Sequence, residues 1–108
     1  MHEIRRDGRV LADGTEIVTY AREITMANSI VVEAGTNGYM GGDSGHGSRT
    51  YLRIEDMGGT DMRARPLGRY ADEGFELVLE GDCELTTMIT ALKFAARVLE
   101  EQAEGVDE

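Results

Sequence analysis

The sequence predicts an α+β domain: an antiparallel sheet of five or six short strands with one C-terminal amphipathic helix packed on one face. Three observations carry this. Short β-branched or alternating segments recur between tight-turn signals as far as residue 80. One long stretch with three-and-four apolar spacing follows them. No strand–helix–strand alternation of the kind that marks a parallel crossover fold occurs in the chain.

Arg9 to Ile24 reads as a β-hairpin, because Asp13-Gly14 is a two-residue turn signal between Arg9-Val10-Leu11 and Glu16 to Tyr20. Ile30, Val31 and Val32 mark a third strand over Asn28 to Ala34. A fourth follows at Thr50 to Glu55, with Leu52 and Ile54 on one face and Tyr51, Arg53 and Glu55 on the other. Met57-Gly58-Gly59 turns the chain, and Asp61 to Arg65 forms a fifth strand closed by Pro66 and Gly68. Phe75 to Glu80 alternates, with Phe75, Leu77 and Leu79 directed inward. Asp82 then serves as N-cap of a helix running to about Gln102. Leu85, Met88, Ile89, Leu92, Ala96 and Leu99 form its expected buried stripe, widened by Phe94, Ala95 and Val98. One helix leaves the second face of the sheet open. Self-association as a homo-oligomer is the expected cover, with Phe94 and Val98 as contacts.

At 108 residues the chain reads as a single domain over 1–104 with an acidic tail over 105–108. The last nine residues, Glu100 to Glu108, hold five acids and no base, and are expected to be a frayed, solvated end. The formal charge of −10 argues against binding duplex nucleic acid, which requires a dense basic footprint. No apolar run is long enough for a membrane span, and Met1 to Arg6 lacks the apolar core of a signal peptide, so a cytoplasmic location is expected. The single cysteine, Cys83, has no internal disulfide partner, and no Cys/His spacing fits zinc. Neither a metal nor a cofactor is expected.

The candidate functional segment is the loop Gly35 to Thr50, in which six of sixteen residues are glycine. Loops of this length are usually functional or disordered. Glycine permits close approach to main-chain N–H groups, and successive N–H groups make anion-binding concavities. Here Gly41, Gly42, Gly45 and Gly47 supply the backbone. Thr36, Asn37, Asp43, Ser44 and Ser48 supply polar groups, and His46 donates or accepts. Arg49 offers a planar fork for phosphate or carboxylate, and Tyr39 a stacking surface. Together they suit a small anionic or nucleotide-like ligand. The loop matches neither a P-loop nor the dinucleotide fingerprint, since it lies between strands and lacks Gly-Lys-Ser/Thr. A plain hairpin connection, with Arg49 paired to a cross-strand acid, is the alternative.

Gly42-Asp43-Ser44-Gly45 resembles the nucleophile segment of chymotrypsin-like serine proteases. Those enzymes are longer two-barrel proteins whose His and Asp come from distant segments, and His46 is too local to replace them. The run Val32 to Gly38 and Gly41 to Thr50, continuing through Tyr51 to Asp61, resembles small uncharacterised proteins of phage and prophage type. By analogy that resemblance implies an anti-defence sponge, an oligomer that sequesters a signalling nucleotide in the cytoplasm of a bacterial host. Thr36, Asn37, Tyr39, Ser44, His46, Ser48 and Arg49 would line its pocket near a subunit boundary. The leading expectation is therefore a non-catalytic binder. An acidic inhibitor of a host defence protein is the second reading, and a small hydrolase centred on His46 and Asp43 the third.

Overall fold

The computed structural model describes residues 4–42, 45–69 and 73–105. Six strands precede one helix, and the fold is α+β as expected. Strands β1 (Arg5–Val10), β2 (Glu16–Thr25), β3 (Ser29–Thr36) and β4 (Thr50–Gly58) form one antiparallel sheet in chain order. Strands β5 (Met62–Leu67) and β6 (Gly74–Leu79) pair only with each other. The first hairpin is longer than its turn signal alone suggests, extending in register from Val10 opposite Glu16 to Arg5 opposite Ala21. Met57 and Gly58, expected in a turn, still belong to β4, and Gly59 at φ 69° reverses the chain. Pro66 lies within β5 opposite Phe75, which a two-stranded ribbon with free outer edges tolerates.

The helix α1 (Asp82–Ala103) packs over β3 and, more lightly, β2. Its cap residue is Gly81; Asp82 is the first helical residue and favours the positive end of the helix dipole from there. Ala91, Phe94, Ala95 and Val98 meet Ile24, Ile30, Val32 and Ala34 in one core cluster, with Met88, Leu99, Tyr20 and Ile54 at its margin. The expected stripe is therefore rotated. Leu85, Ile89 and Leu92 are 61%, 45% and 51% exposed, Ala96 is exposed, and the residues assigned a widening role form the core. Phe94 and Val98 are accordingly core residues, and not the exposed contacts expected for self-association.

Polar tethers at both ends of α1 account for the rotation. Near its start, the Asn28 side-chain amide donates to Thr87 Oγ1 at 3.1 Å and to Thr60 Oγ1 at 3.0 Å. Those hydroxyls donate onward to the carbonyls of Glu84 and Ser29. Near its end, buried Gln102 accepts from the Thr36 N–H at 2.9 Å and donates to the Val18 carbonyl at 2.9 Å. Thr87, Ala91, Phe94, Ala95, Val98 and Gln102 share one face, so satisfying the polar pair buries the smaller apolar residues between them. Gln102 also corrects the expectation of a frayed end from Glu100: the helix is continuous to Ala103 and bonded to the sheet.

The β5–β6 hairpin is joined to the body through Asp61. The Asp61 N–H donates to the Glu84 carboxylate at 3.1 Å, and the Glu80 N–H donates to the Asp61 carbonyl at 3.1 Å. Phe75, expected inward, is 66% exposed, because this ribbon stands apart from the core and no layer covers that face among the described residues. Among the described residues, no helix is long and apolar enough to cross a membrane.

The sheet face away from α1 contains a buried carboxylate. Glu33 is 1% exposed and accepts from Arg9 Nε at 2.8 Å, from Arg9 Nη2, and from Thr19 Oγ1 at 2.6 Å. The Arg9 guanidinium lies 5.3 Å from the centroid of the Tyr51 ring, a cation–π distance. Arg9 thus roofs the carboxylate on a face without a second layer. The bonds from Arg9 hold the Glu33 carboxyl below its usual range against the opposing effect of burial.

Candidate functional site

The loop is shorter and more internally committed than its composition suggests. Gly35 and Thr36 belong to β3, where a Cβ on Gly35 would run into the Val18 carbonyl and Thr19. Asn37 and Arg49 close the base: the Arg49 N–H donates to Asn37 Oδ1 at 2.8 Å, and the Asn37 N–H to the Arg49 carbonyl at 3.3 Å. Thr36 Oγ1 accepts from the Gly38 N–H at 3.1 Å and lies 3.4 Å from the Thr50 hydroxyl. Higher up, the chain folds onto itself. A Cβ on Gly42 would sit 2.5 Å from the Gly47 nitrogen, so glycine here serves backbone-to-backbone packing. Gly41 and Gly45 adopt positive φ and are exposed, as is His46. Tyr39 is 86% exposed at the tip. Asp43 and Ser44 lie outside the described residues.

Arg49 was the expected anion ligand, and its guanidinium is already engaged. Nε donates to Asp13 Oδ2 at 2.8 Å, and Nη1 donates to the carbonyls of Gly47 at 3.1 Å and Ser48 at 3.3 Å. The acid it meets is Asp13 of the β1–β2 turn and not a residue across the strand, and Arg49 with the Thr15 N–H holds the Asp13 carboxyl down at about 2. Thr36, Tyr39, Ser48 and Thr50 do line a crevice of about 200 Å³ against Leu99 and Glu100 of α1. Among the described residues its one charged wall residue is the acidic Glu100.

A larger concavity lies on the other flank of α1. The helix covers β3 more fully than β2, which leaves a groove of about 520 Å³ along β2 beside the N-terminal strand. Phe94, Val98, Ile89 and Ile4 make its apolar surface, and Tyr20, Thr90 and Gln102 add polar edges. Arg22, Lys93 and Arg97 stand on its walls with Glu101. Arg97 Nε donates to Glu101 at 2.9 Å. Arg22 and Lys93 have no carboxylate partner among the described residues. Arg6 pairs with Tyr20 in the ladder and shares the same sheet face. In a chain of formal charge −10, this is a local concentration of positive charge over an apolar floor.

Sequence reasoning did not single out Arg22, Lys93 or Arg97. The available signal was that Lys93, the only lysine, and Arg97 are the only bases on the helix and lie four residues apart. Arg22 joins them through tertiary packing alone. Arg9, close in sequence to Arg5 and Arg6, is paired with the buried Glu33 carboxylate. Among the described residues, no three His, Cys, Asp or Glu side chains gather as a metal site. No protein-family model, curated protein or solved structure matches this chain.

Proposed function

We propose that this chain is a non-catalytic binding protein for a small anionic, nucleotide-like molecule, and that the ligand lies in the groove between α1 and β2. The observation carrying this reading is the placement of Arg22 and Lys93, two cations without carboxylate partners among the described residues, over an apolar floor in a concavity of about 520 Å³. Ligand sites are commonly concavities of about 300–1,000 Å³ lined by apolar groups with a few fixed polar ones. The two cations take the charged end of the ligand, while Phe94, Val98 and Ile89 contact its flat or apolar body. The resemblance to phage proteins gives the biological form of the proposal: sequestration of a nucleotide signal by an oligomer. The loop then serves as a structural cap joining β3, β4 and the β1–β2 turn, with Arg49 as its clasp.

A thermal-shift screen of linear and cyclic nucleotides tests it, because a ligand that binds only the folded chain raises its melting temperature by mass action. The expected result is a concentration-dependent rise for at least one phosphorylated compound, and none for its uncharged nucleoside. Equal shifts by nucleotide and nucleoside would remove the role given to Arg22 and Lys93.

A further inference from the structure

The outer face of α1 carries a second ordered pattern, which meets the groove only at Ile89. Leu85, Ile89, Leu92, Ala96 and Leu99 follow one another at spacings of four, three, four and three. That is the seam of a two-stranded coiled coil, with leucine at every d position and isoleucine or alanine at every a position. It runs about 21 Å along the helix at the usual rise per residue. The core takes only its last member, Leu99: Leu85, Ile89, Leu92 and Ala96 are exposed, and the opposite face of the same helix packs on the sheet.

We propose that a second copy of this chain packs antiparallel on this seam, helix against helix. The seam is complementary to itself when read backwards. Leu85 meets the partner's Ala96, Ile89 meets the partner's Leu92, and the symmetry mates complete four layers, each a leucine against isoleucine or alanine. In that register Thr86 flanks the partner's Lys93 and Met88 flanks the partner's Ala95, so within the four layers no like charges face each other; beyond them Leu99 falls opposite the partner's Asp82. The charge of the whole chain selects the same place. Between Leu85 and Leu99 the helix has no carboxylate, so two chains of formal charge −10 meet there with the least repulsion. The antiparallel arrangement also sets Glu100, Glu101 and Glu104 of the two copies at opposite ends, whereas a parallel pair would stack them. Ile89 and Lys93 border both the seam and the groove, so the second helix stands beside the mouth of the groove and places it at a subunit boundary.

The test is sedimentation velocity on the full chain over a concentration series. The expected result is a species of about twice 11.8 kDa, with its dissociation midpoint raised at least about 100-fold by Leu92→Glu, which buries a charge in each copy. Because Leu92 is exposed in the single chain, that variant keeps its circular dichroism, and its melting temperature loses only the concentration dependence that association gives the wild-type chain. A chain that stays single at all concentrations overturns the proposal. So does a dimer that survives Leu92→Glu, or one lost only in Phe75→Glu, which would place the β5–β6 hairpin at the interface. The register is read by oxidation in a Cys83→Ser background. The Leu85→Cys, Ala96→Cys pair forms a disulfide-linked dimer, and Leu85→Cys alone does not; cross-linking by Leu85→Cys alone overturns the antiparallel arrangement. Nucleotide binding measured on Leu92→Glu keeps this outcome distinct from that of the groove, since Leu92 does not line it.

Discussion

The glycine-rich loop and the groove beside α1 differ in what their polar groups have left to give. The loop is dense in hydroxyls, amides and backbone N–H groups, but its base is hydrogen-bonded shut and its one cation is held by Asp13 and two carbonyls. The groove is mostly apolar, yet Arg22 and Lys93 enter it without carboxylate partners among the described residues. The ability to bind an anion depends on charge left unspent after folding, and composition does not report that quantity. A segment that looks like a binding loop is here bonded across its base and to the neighbouring hairpin. A helix flank that looks like ordinary surface holds the uncommitted charge.

The largest effect that sharpens this contrast is on affinity. Reversing both cations in Arg22→Glu/Lys93→Glu removes two charge-assisted contacts of about 1.5–3 kcal/mol each, and is expected to weaken nucleotide binding by at least about 100-fold in calorimetric titration. Arg49→Ala is expected to leave the same constant within about twofold, as a surface change away from the ligand does. The reverse ranking would return the site to the loop.

Next in size is Gln102→Leu. It deprives the Val18 carbonyl and the Thr36 N–H of their partner where helix, sheet and loop base meet. Leaving these groups unsatisfied costs about 2 kcal/mol or more, read as a lower urea midpoint with an unchanged slope. A change indistinguishable from zero would mean that the tether does not set the rotation of α1.

A smaller effect appears with pH. The Glu33 carboxyl is depressed below its usual 4.5 by Arg9, so in acid the unfolded chain takes up a proton more readily than the folded one. The stabilisation is complete above the ordinary glutamate range and is lost as pH falls through the lowered folded value. Glu33→Gln should therefore flatten the acid limb of a stability–pH curve. An unchanged limb would show that the pair contributes nothing there. Asp13→Asn should alter least, releasing Arg49 while leaving nucleotide affinity unchanged in the same titration.

Much of the fold was legible in the sequence, because turn chemistry is local. Asp13-Gly14 placed the first hairpin, and the β-branched run at Ile30 to Val32 placed the central strand. The buried face of α1 was not legible. Its larger side chains, Leu85, Ile89 and Leu92, give the stronger periodic signal, while the face that packs is chosen by Thr87 and Gln102 bonding to residues 59 and 66 or more positions away. The division of six strands into two sheets was equally hidden, since β5 and β6 carry the same alternation as strands that join the main sheet. Asn37, Ser48 and Thr50 sit where the loop reading put them, but the guanidinium meant to join them is turned to the neighbouring hairpin by Asp13, thirty-six residues earlier.

The most direct measurement is a nucleotide titration followed by two-dimensional amide NMR on the uniformly labelled chain. The account predicts that the saturating shifts cluster at Tyr20, Arg22, Thr90, Lys93 and Arg97, with Gly41 to Ser48 unmoved. Saturating shifts confined to Gly41 to Ser48, with Arg22 and Lys93 silent, would contradict it.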